Sequence, residues 1–74
     1  MSLKSDIRHY ILENEASAET KEGVTRAWLK RSSSAEVLAD VEQALDELVA
    51  ERILERHRLP GGAAIYRRAR PDEE

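Results

Sequence analysis

The chain has 74 residues, 41% of them hydrophobic and 36% charged, with no cysteine, only three aromatic side chains and a formal net charge of −3. That length accommodates one small domain and leaves no room for a large enzyme with its own substrate pocket. The lack of thiols excludes disulfides and thiolate zinc sites, and no apolar run approaches the ~20 residues of a membrane span.

No signal-peptide pattern opens the chain, so the expected compartment is the cytoplasm. The charge is segregated. Residues 1–31 balance at +1, residues 32–51 carry six acids and no base, residues 52–70 carry six arginines against Glu55, and residues 71–74 add −3. A partner responds to those local potentials more than to the total.

Leu3, Ile7, Tyr10 and Ile11 recur at helical spacing, which predicts a first helix from Ser2 to about Asn14. Residues 14–22 carry no large apolar group and read as a loop or a frayed continuation of that helix. Gly23 punctuates, and Thr25 is suited to cap a short second helix over residues 26–31. In it Ala27, Trp28 and Leu29 offer an inward edge, while Arg26, Lys30 and Arg31 point to water. Trp28 is the largest apolar group and the expected core pin.

Ser32, Ser33 and Ser34 form a turn, and Ser33 with Glu36 fits a capping box. A third helix then runs to about Glu51, with Val37, Leu38, Val41, Ala44, Leu45, Leu48 and Val49 at the 3-4 spacing. After it, residues 53–59 and 63–68 read as two strands around Pro60-Gly61-Gly62, a turn suited to type II. Leu54 and Tyr66 are the inward groups of that hairpin. The domain spans residues 3–68, and residues 69–74 are expected to be a disordered acidic tail.

This order of elements, and the stretch from Leu45 through Leu48-Val49 and Ile53-Leu54 to Pro60-Gly61-Gly62 and Ile65-Tyr66-Arg67, resembles a winged-helix domain, a variant of the helix-turn-helix. The resemblance covers about Leu3 to Arg68. It implies an α+β, mainly α fold: three helices and a C-terminal hairpin wing, with Gly23-Val24-Thr25 as the stub strand before helix two. A narrower likeness is to winged helices attached to primase or helicase proteins of phage and plasmid type. Duplex DNA is the partner the resemblance implies, in transcription regulation or replication. Members usually carry glycine where helix three ends; Arg52 stands there, and it is expected to adopt the left-handed conformation at some cost.

Two sets of residues are functional candidates. Arg56, His57, Arg58, Arg67, Arg68 and Arg70 on the hairpin, with Arg26, Lys30 and Arg31 on helix two, suit phosphate contact. Helix three is unsuited to enter a major groove. Gln43 is its one side chain matched to adenine, and its neighbours are carboxylates that phosphate repels. Glu36, Asp40, Asp46 and Glu47 read either as a solvated face that needs no partner or as a surface for a basic protein or the arginine wing of a second copy in a homodimer, and the module is expected to serve such a dimer or a larger parent protein. A plainer reading pairs the hairpin arginines with the acids of helix three. His9 and His57 stand without a carboxylate or second histidine at ligand spacing. No catalytic set, metal site, cofactor or small-molecule substrate is implied.

Overall fold

The computed structural model describes residues 2–32 and 34–69. Among these the chain forms three helices and one antiparallel sheet of three strands, an α+β arrangement compatible with the winged-helix architecture. In chain order the elements are α1 (Leu3–Glu13), β1 (Ala18–Glu19), α2 (Lys21–Gly23) running on into a π-helical segment (Val24–Trp28), α3 (Ala35–Ala50), β2 (Leu54–Arg58) and β3 (Ala64–Arg68). The strand order is β1-β3-β2.

Each helix begins at a hydroxyl. Ser2 accepts from the Ser5 amide at 3.1 Å, Thr20 from Gly23 at 3.2 Å and Ser34 from Val37 at 3.3 Å. Such side chains satisfy one of the orphan amides of a first turn. The cap of α3 is therefore Ser34. Ser33, to which the capping box was assigned, lies outside the described residues. Asn14 stops α1 as expected, and its side-chain amide donates to the Tyr10 carbonyl at 2.9 Å.

Helix two departs from its reading. It starts at Lys21, five residues early, because Thr20 supplies the cap expected of Thr25. Thr25 is fully buried inside the helix, where its hydroxyl donates to the Lys21 carbonyl at 2.9 Å. The wide turn that follows, closed by Leu29 N–H to Val24 O at 3.0 Å, brings Val24, Thr25 and Trp28 to the core together. Ala27, expected inside, is exposed. Lys30 and Arg31 lie beyond the helix, Lys30 in a left-handed turn at φ 55°.

The stub strand is likewise not Gly23-Val24-Thr25 but Ala18–Glu19, within the supposed loop. It pairs with β3, Ala18 opposite Arg67 and Glu19 opposite Tyr66. Gly23 permits its close approach, since a Cβ there would lie 3.1 Å from that of Glu19 and 2.1 Å from its carboxylate.

The core is one cluster: Ile7 and Ile11 from α1, Val24 and Trp28 from helix two, Val41, Ala44, Leu45 and Leu48 from α3, and Leu54 and Tyr66 from the hairpin. Tyr10 stacks on Trp28 with ring centres 5.1 Å apart. The apolar stripe of α3 holds this cluster together. Its outward positions Glu36, Ala39, Asp40, Gln43, Asp46, Glu47 and Ala50 are all exposed.

Helix α3 ends as foreseen. Arg52 has φ 64°, its amide donates to Val49 O at 3.0 Å, and the Ile53 amide reaches back to Leu48 O at 2.9 Å. This pair of bonds is the Schellman stop, built here without glycine. The hairpin turn is of type I rather than type II. The Gly62 amide closes on Leu59 O at 2.9 Å, and the left-handed residue is Gly62 at φ 94°, not Gly61. A type I turn followed by a left-handed glycine matches the right-handed twist of its strands. Ala69, assigned to the tail, is ordered: it is buried, and its amide donates to Ile53 O at 3.0 Å. The remainder of that tail, residues 70–74, lies outside the described residues.

Two stability changes follow. Arg52→Gly removes the left-handed penalty and leaves the domain equal or more stable by up to about 1 kcal/mol in thermal melts. Leu48→Ala opens a void in a core too small to absorb it; it costs about 2–5 kcal/mol and abolishes cooperative unfolding at 25 °C.

Candidate nucleic-acid interface

The alternation of β2 and β3 sorts the hairpin charges onto two faces. Leu54, Arg56 and Arg58 share the core-side face with Arg68, Tyr66 and Ala64 opposite them; Glu55 and His57 share the outer face with Arg67 and Ile65. Leu54 and Tyr66 fill the inner end, as expected. Arg56, one step further out, lies over the Tyr66 ring with its guanidinium 5.5 Å from the ring centre, and it hydrogen-bonds Asp46 of α3. Arg58, a further step out, is exposed and makes no ion pair among the described residues.

On the outer face Glu55 holds both neighbours, Arg67 Nε at 3.3 Å and His57 Nε2 at 2.9 Å. Opposed charges on paired strands support register more than they leave charge for a ligand. Arg68 turns inward, donating to the carbonyls of Ile53 at 3.4 Å and Ala69 at 3.3 Å, and so braces the base of the hairpin. Arg70 lies outside the described residues. His9 also has a carboxylate neighbour, Glu13 at 3.1 Å, one turn along α1. Both histidines thus stand beside one acid each, which the sequence reading did not anticipate.

The helix-two cations fall elsewhere. Arg26 is exposed on the helix, and Lys30 and Arg31 are exposed just past it. None of the three makes an ion pair among the described residues. Arg31 borders a groove of about 490 Å³ together with Tyr10, Trp28 and Leu29. Arg56 and Arg58 border a different groove, of about 440 Å³, between the start of helix two, α3 and the hairpin. The helix-two cation on that second groove is Lys21, which sequence reasoning missed. Its other charged walls are Glu22, Glu42 and Asp46, so carboxylates match cations there one for one.

Helix α3 draws its counter-ions from three elements. Lys4 of α1 meets Glu51 and, at 3.4 Å, Glu47; Lys21 meets Glu42 at 3.4 Å; Arg56 meets Asp46. Three cations thus answer the six acids between residues 36 and 51. Glu36 and Asp40 are exposed with no ion pair among the described residues. Gln43 is exposed too, but beside Asp40, Glu47 and Lys4, away from the hairpin arginines. Exposed pairs of this kind contribute about 0–1 kcal/mol each. Their consequence is electrostatic: they occupy cations that the sequence leaves nominally free.

No protein-family model matches the chain, and no curated protein or solved structure matches it either.

The Lys4 ammonium is held above the ordinary lysine value of 10.5, chiefly by its hydrogen bond to Glu51, with partial desolvation opposing and Glu47 adding. The folded state binds that proton more tightly than the unfolded state. Its contribution is accordingly complete below pH 10.5 and is lost as pH rises through the raised value. An NMR titration of the Lys4 side chain will give a midpoint above 10.5, and Glu51→Gln will bring it down toward 10.5.

Proposed function

We propose that the chain is a winged-helix module that meets duplex DNA through phosphate contacts, made by Arg58 at the hairpin end and by Arg26, Lys30 and Arg31 at the end of helix two. The fold reading rests on three helices with the β1-β3-β2 sheet. The binding reading rests on one observation. These four cations are exposed and, like Arg8 and Arg52, make no ion pair among the described residues, whereas Lys4, Lys21, Arg56 and Arg67 are each tied to a carboxylate; the four are set apart from Arg8 and Arg52 by lying at the hairpin end or the end of helix two. An unpaired guanidinium keeps its field for an external anion and suits phosphate. Helix α3 stays out of the major groove, because its acids outnumber their counter-ions. Contact is then with the backbone rather than with base edges, and sequence preference is weak.

A second reading is favoured by that same excess of acid. Glu36 and Asp40, with Asp46 and Glu47 further along α3, present a surface to a basic protein or to another copy of the chain. DNA is then ignored, and sedimentation shows self-association, or capture of a basic partner, that weakens with salt.

Fluorescence anisotropy with a short duplex separates the two. The DNA reading requires binding at low salt whose logarithm falls against log salt with a slope of about −3 to −4. Neutralising Arg26, Lys30, Arg31 or Arg58 singly to Gln reduces that slope by roughly one each. Absence of binding at low salt rejects this reading in favour of the second.

A further inference from the structure

Two large hydrophobic residues are exposed among the described residues, Leu12 on α1 and Leu59 at the end of the hairpin. Leu59 is left 40% exposed. Pro60 and Gly61 beside it are exposed as well, and a Cβ built on Gly61 or Gly62 would meet nothing within 4 Å. The tip stands clear of other protein atoms. It is nevertheless tied by backbone hydrogen bonds. Leu59 carries both bonds of the turn, its amide donating to Ala63 O at 2.6 Å and its carbonyl accepting from Gly62 at 2.9 Å. Below it five paired positions run down to Leu54 in the core. No carboxylate occurs from Arg56 to Ala69, and Arg58 immediately precedes the apolar pair Leu59-Pro60.

We propose that Leu59 is a wedge for duplex DNA, entering the minor groove and pressing between two neighbouring base pairs while Arg58 engages the groove edge. This rests on the DNA reading above and adds a specific consequence to it, local unstacking of the duplex. The acids of the fold set the depth of approach. Arg56, bonded to Asp46, is three residues back from Leu59, on the order of 10 Å along the strand. Sinking the ribbon into a major groove about 8.5 Å deep would carry Asp46 and Glu42 close to the phosphates. Entry of the turn alone keeps them away. The undistorted minor groove is about 6 Å wide and admits a two-stranded ribbon with its side chains only after widening, so the turn is the part that enters at least cost. An apolar side chain there gains by stacking on bases and opens the step, and pyrimidine–purine steps yield most readily.

The test uses the full chain and a short duplex carrying 2-aminopurine at a central TA step, at low salt. Binding by the unaltered chain will raise the probe's fluorescence about twofold or more as the step unstacks. Leu59→Ser will bind within about threefold of the same affinity and give no rise; the exposed Leu12 on α1, replaced in Leu12→Ser, will leave both readings unchanged. Circular dichroism will report all variants as folded, since both leucines are at the surface. Binding without a rise, or a rise that survives Leu59→Ser, overturns the wedge while leaving phosphate binding standing. No binding by the unaltered chain overturns both. Leu59-dependent binding to phosphatidylserine vesicles in place of DNA also overturns the wedge, by making the tip a lipid anchor.

Discussion

Burial of Leu54 and Tyr66 against the apolar stripe of α3 is the contact on which the remaining structure depends. A two-stranded hairpin in water is marginal. This one is held because its inner end lies in the same cluster as Val41, Leu45 and Leu48. The cluster also fixes the outer end by geometry. Once Leu54 faces inward, Arg56 and Arg58 must follow on the same side, one bonded to Asp46 and the next on the same groove as α3 but making no ion pair with it. The third strand depends on it too, since β1 pairs with β3 and has only two residues of its own.

Charge is distributed around that core by proximity rather than by count. The acids of α3 take one cation from α1, one from helix two and one from β2. Each pair is weak, and exposed side chains exchange partners readily. Together they nonetheless turn the flanks of α3 into a mosaic of both signs. Among the described residues the exposed charges outside any ion pair are Arg8, Arg26, Lys30, Arg31, Arg52 and Arg58 of one sign, and Glu15, Glu22, Glu36 and Asp40 of the other. A ligand senses those groups first.

Among the described residues two non-glycine residues adopt left-handed conformations, Lys30 and Arg52. Both follow the end of a helix, where the chain must turn sharply to continue into the next element. That both are long and basic keeps their side chains in water and places positive charge near carbonyl-rich helix ends, which the helix dipole favours.

Much of the architecture could be read from neighbouring residues. The 3-4 spacing of Val41, Ala44, Leu45 and Leu48 specifies a helix and its buried face, because side chains three and four apart lie on one side of an α-helix. The Pro60-Gly61-Gly62 turn between two short runs specifies a hairpin, and the missing glycine at Arg52 marks where strain would sit. Helix two was harder. Thr20 and Thr25 are equally good caps on paper, and only the burial of Thr25 beside Val24 and Trp28 distinguishes them. Strand β1 was not legible at all, since Ala18-Glu19 has no pattern of its own and becomes a strand by completing the edge of β3. Pairing of hairpin arginines with the acids of α3 was anticipated in kind, and Arg56 with Asp46 is such a pair; the other ion pairs of α3 were beyond reach for the same reason. Lys4 and Glu51 are 47 positions apart and Lys21 and Glu42 are 21 apart, and Coulomb attraction depends on distance through space, which folding supplies. Local pattern thus settled α1, α3 and the presence of the hairpin, while the packed chain decided the extent of helix two and which arginines are tied to carboxylates.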